Sequence, residues 1–119
     1  MIKPLETIEV NEEVFVTFVS YADSRCPEGV QCIRAGELFV TLKLKDTSSN
    51  QEDLTFCVAG ECLTDKSLIQ VKTHYSGDTV EVGNKSYSVD ILDFSPVNPR
   101  QGVQNEAYSV SLVVRSVRL

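Results

Sequence analysis

Tryptophan is absent from this chain, histidine and methionine occur once each, and basic residues number 11 against 17 acidic ones in 119 positions. The shortage of lysine and arginine leaves a net charge of −6. A phosphate backbone or an anionic membrane surface requires a concentrated basic face, so nucleic acid is excluded as the expected partner. No run approaches the eighteen or so consecutive apolar residues that a transmembrane helix needs, and no transmembrane segment is expected. Low-complexity tracts, internal repeats and linkers are also missing, which leaves one domain over residues 1–119. With 42% hydrophobic and 24% charged residues, the composition is that of an ordered globular chain, long enough to bury roughly two thirds of its unfolded surface.

What the chain does have is four cysteines in two close pairs. Cys26 and Cys32 enclose Pro27-Glu28-Gly29-Val30-Gln31, and Cys57 and Cys62 enclose Val58-Ala59-Gly60-Glu61. Local pairing closes rings that bring the Cα atoms within disulfide reach without help from the fold, and a ring of about seven residues stabilises by roughly 2.4 kcal/mol on a chain-entropy argument. Crossed pairing would constrain the unfolded chain more, by about 1 kcal/mol per bridge. A four-cysteine zinc site is the rival reading, although five and four intervening residues exceed the usual zinc knuckle. No Cys-x-x-Cys motif at a helix start supports a dithiol oxidoreductase. An even cysteine count in a small chain favours an oxidising compartment. The first six residues carry neither the basic nor the apolar region of a secretory signal. Any removed leader or N-terminal lipid anchor would lie outside this sequence.

Between these landmarks the chain repeats short alternating segments divided by turn residues. From Glu37 to Lys45, Leu38, Val40, Leu42 and Leu44 share one face while Phe39, Thr41, Lys43 and Lys45 share the other, which is the period of a half-buried strand. Leu54, Phe56 and Val58 repeat the pattern, as do Tyr87, Val89 and Ile91, and Tyr108, Val110, Leu112 and Val114. Val14, Phe15, Val16, Phe18 and Val19 are apolar on both faces and suit a central strand. Gly83-Asn84 between Val82 and Lys85 predicts a two-residue hairpin of type II′. Ser76-Gly77-Asp78 predicts a turn and Thr47 to Gln51 a polar loop. Ser95 to Gly102, with prolines at 96 and 99, predicts a long connection. Thr64 to Gln70 is at most a short turn. The expectation is an all-β protein, an antiparallel β-sandwich of seven to eight strands, with a small β-barrel as the alternative.

Signals for chemistry are sparse. His74 stands alone beside Tyr75, and no Gly-x-Ser-x-Gly elbow accompanies it. Asp23, Glu28 and Glu37 flank the first cysteine ring, but no calcium-loop spacing joins them. Asn84-Lys85-Ser86 matches a glycosylation acceptor within the hairpin turn. The expectation is a non-enzymatic chain without cofactor or metal. Arg25 has two readings: a charge-assisted bond to Asp23 that orders the loop, or a projecting recognition residue.

The run Asp23-Ser24-Arg25-Cys26-Pro27-x-Gly29-Val30-x-Cys32-x-x-Ala35-Gly36 resembles a motif of small extracytoplasmic bacterial domains, often lipoproteins, whose activity is not settled. The resemblance covers about fourteen residues. It implies export to the periplasm or cell surface, an all-β domain and an oxidised Cys26–Cys32 pair. Arg34 stands where that pattern usually has tryptophan. The reading that follows is a secreted or lipid-anchored binding module, with Arg25, Glu28, Val30 and Gln31 as the candidate recognition loop and an unknown protein or surface ligand as partner. A proteinase inhibitor presenting the Cys26–Cys32 loop and a structural zinc-binding domain are the alternatives.

Overall fold

A computed structural model describes residues 2–10, 12–27, 29–65, 73–98 and 107–117. Among the described residues, eight strands form two stacked sheets. The larger sheet has the order β1-β2-β3-β4-β5, built from β1 (Thr7–Val10), β2 (Val14–Asp23), β3 (Glu37–Asp46), β4 (Gln51–Gly60) and β5 (Thr73–His74). The smaller has the order β6-β7-β8, built from β6 (Asp78–Val82), β7 (Lys85–Ser95) and β8 (Ser109–Val117). This is the expected all-β sandwich, and its two sheets do not close into a barrel.

The alternation fixes which side is dry. Leu38, Val40, Leu42 and Leu44 of β3 meet Tyr87 and Val89 of β7, Val80 and Val82 of β6, and Val110 and Val114 of β8 in one core. Phe18 and Phe56 are its largest fully buried side chains after Tyr87. β2 lies between β1 and β3, as its two-sided apolar character requires. Val14, Val16 and Phe18 are buried on the inner face, and Phe15 and Val19 are half-buried on the outer one. The turn Gly83-Asn84 joins Val82 to its partner Lys85, with only glycine at positive φ, 64°, as a type II′ turn requires.

Two local features depart from the pattern. β5 runs parallel to β4, pairing Thr55 with Thr73 and Phe56 with His74, so the larger sheet is not wholly antiparallel. A four-residue helix, α1 (Glu61–Thr64), follows β4 directly. It ends where the sequence places its weak turn candidate, of which Lys66 to Gln70 lie outside the described residues.

Candidate functional site

One end of the sandwich gathers the conspicuous sequence features. β2 ends at Asp23, Arg25 and the Cys26–Cys32 ring follow, and β3 departs from Glu37. β4 and α1 bring the Cys57–Cys62 ring beside it. Both pairs are local disulfides, with Cα separations of 5.9 and 6.0 Å. Their sulfurs are thereby used up, which leaves no thiolate for a four-cysteine zinc site.

The two rings are tied by backbone and by charge. Cys26 N–H donates to Ala35 O at 2.8 Å, and Glu61 N–H donates to Gly36 O at 2.9 Å. Gly36 has φ 78°, and a Cβ there would sit 2.0 Å from Ser24 O, so no side chain fits where the strands and rings approach. Glu61 Oε1 accepts from Ala35 N–H at 3.0 Å. Arg34, half-exposed, bridges Glu37 and Glu61. The residue at the tryptophan position of the resembled motif is therefore an ionic clasp between the rings.

Arg25 does not project. Its side chain and that of Asp23 are each only 7% exposed. The guanidinium forks onto Asp23, Nε to Oδ1 and Nη2 to Oδ2, both at 2.9 Å. Nη1 donates to Val97 O and Nη2 to Pro96 O, each at 2.8 Å. The Phe94 ring lies beneath the cation, 5.8 Å from its carbon to the ring centroid. Tyr108 Oη completes the group by donating to Asp23 Oδ2 at 2.8 Å, and its ring stacks on Tyr21 at 3.7 Å. The ordering role is the one the geometry adopts, with the Arg25 side chain turned inward and not projecting.

Ionisation follows from these contacts. Burial opposes charge on Asp23, but the hydrogen bonds from Arg25 and Tyr108 and the Arg25 charge outweigh it and hold the carboxyl below its ordinary value. Tyr108 is pushed up to about 12, by burial first and then by donation to the Asp23 carboxylate. Asp23 is thus spent on Arg25 and Tyr108, and Glu37 on Arg34. No three metal-ligating side chains converge among the described residues. His74 stands apart on β5, against the Phe56 ring, with Nδ1 3.8 Å from Asp78 Oδ2.

Apolar side chains also stand exposed at this end. Val30 is 38% exposed and Ile33 wholly so, at 106% of the reference value. Gln31 is exposed beside them, while Glu28 lies outside the described residues. Leu63, Leu92 and Val97 are also large and exposed. Leu63 and Leu92 flank a groove of about 250 Å³ whose floor includes Val58, Ile91 and Phe94. Ile33 was not among the sequence candidates. Its signal is an isoleucine just past the ring, in a polar loop, which no strand period uses. No protein-family model, curated protein or solved structure matches the chain.

Proposed function

We propose that this is an exported, non-catalytic binding domain whose recognition surface is the stapled loop end, with Ile33 as its central contact and Val30 and Gln31 beside it. One observation carries the reading: a wholly exposed isoleucine stands on a loop fixed from behind by a disulfide, the Arg25–Asp23 fork and the Arg34 clasp. A loop held in one conformation loses little entropy on engaging a partner, and an exposed apolar side chain there gains its full burial in the complex. The charged groups of this end are committed to one another, which supports binding rather than catalysis. Two disulfides support an oxidising compartment, and with the motif resemblance they favour the periplasm or cell surface. No helix among the described residues is long and apolar enough to cross a membrane. The inhibitor alternative weakens because Arg25, its natural specificity residue, is held by four acceptors' worth of contacts inside the domain.

The test compares wild type with Ile33→Asp as immobilised bait for cell-surface and periplasmic proteins, each prey identified and its affinity measured with purified components. Ile33→Asp is expected to retain the wild-type circular dichroism and melting temperature and to bind its partner at least tenfold more weakly, as loss of about 1.5–3 kcal/mol of apolar burial requires. A partner bound equally by both proteins would place the recognition surface elsewhere.

A further inference from the structure

β8 pairs with β7 along its full length on one side. On the other side, among the described residues, only Ile2 meets it, through Ile2 N–H to Val110 O at 2.8 Å and Val110 N–H to Ile2 O at 2.9 Å. Backbone groups of successive strand residues point alternately to the two sides, and β8 has no register break of its own. The Ile2 contact therefore sets the parity: Leu112, Val114 and Ser116 also direct N–H and C=O away from β7. Beyond Val110 the open edge runs from Ser111 to Val117, seven residues or roughly 23 Å. Such edges are normally blunted by proline, inward charge, a bulge or brevity. β8 has no proline, no glycine and no carboxylate, and its one charge, Arg115, leans back toward Asp90 of β7 at 3.9 Å. The bulge in this sheet falls on β7, between Ile91 and Asp93.

We propose that β8 is the seam of a two-fold dimer, pairing antiparallel with β8 of a second copy to make a continuous six-stranded sheet. The register selects a second copy over an unrelated strand. The open segment is centred on Val114, whose groups point outward, so a two-fold axis there pairs Val114 with itself, Leu112 with Ser116 and Ser111 with Val117. Every outward donor and acceptor of the segment is then used, in six hydrogen bonds. Val113 falls opposite Arg115 of the other copy, so no like charges meet. A two-fold at Val113 would call on Val110, already bonded to Ile2, and one at Arg115 would set two guanidinium groups face to face.

The experiment is sedimentation velocity across a concentration series on the oxidised chain, joined to amide hydrogen exchange by NMR at the same concentrations. The expected result is a dimer whose Leu112, Val114 and Ser116 amides gain protection as it forms. Val113→Lys places like charges across the seam twice and should raise the dimer dissociation constant roughly two- to thirty-fold. Adding Arg115→Glu to that variant should restore it, which separates repulsion from misfolding. A monomer at every concentration up to millimolar overturns the proposal. So does a dimer whose Leu112, Val114 and Ser116 amides stay unprotected, or one indifferent to Val113→Lys.

Discussion

At the scale of single residues, the decisive event is the turning inward of Arg25. A buried ion pair is costly unless its remaining donors and acceptors are satisfied. Here the fork onto Asp23, the two proline-turn carbonyls and the Tyr108 hydroxyl meet that condition. The sequence shows the Asp23–Arg25 half of this arrangement, because those residues are neighbours. It cannot show the rest, since the Pro96 and Val97 carbonyls lie 71 and 72 residues away and Tyr108 lies 85 from Asp23. Tyr108 couples this arrangement to pH. Its folded value of about 12 exceeds the ordinary 10, so the folded state holds this proton more tightly. The resulting stability is complete below pH 10 and is lost as pH rises through 12. Tyr108→Phe should be less stable than wild type at neutral pH, and the gap should narrow between pH 10 and 12. Urea titrations at pH 7, 10.5 and 11.5 measure it; a constant gap would mean that burial and the Asp23 contact together do not raise the tyrosine above its unfolded value.

Among elements, the strands were legible because each has one wet face and one dry face, as β3 shows over its whole length. The cysteine rings were legible because their pairing is local. The parallel addition of β5 was not, since two residues carry no pattern that distinguishes a strand from a loop. Nor did the alternation anticipate Cys57, buried out of phase beside Phe56 near the irregular pairing of β3 with β4. That burial separates two rings of nearly equal size. By loop entropy each contributes about 2.2–2.4 kcal/mol. Access differs instead: Cys57 and Cys62 are buried in the fold, whereas Cys32 is exposed. Thiolate attack needs access to a sulfur. Graded phosphine reduction followed by alkylation and peptide mass mapping should therefore label Cys26 and Cys32 while Cys57 and Cys62 remain joined. Simultaneous opening would mean that the second ring is reached through local unfolding, and that α1 does not shield it.

The described residues of the molecule divide unequally, five strands against three, and one core joins them. A three-stranded sheet with one apolar face needs a second layer to bury it against, and Tyr87, Val89 and Val110 lie in one core with Val40, Leu42 and Phe56 of the larger sheet. Sheet order and the facing of β6 onto β3 and β4 depend on contacts between distant segments, so the strands are legible in the sequence and their arrangement is not. The energetic consequence is cooperativity. If the sheets share one core, neither has a folding free energy of its own, and both open only in global unfolding. Native-state hydrogen exchange should then give the same opening free energy at Val40 and Leu42 of β3 as at Tyr87 and Val89 of β7, with equal denaturant slopes. Lower values confined to β6–β8 would show that the smaller sheet detaches as a unit.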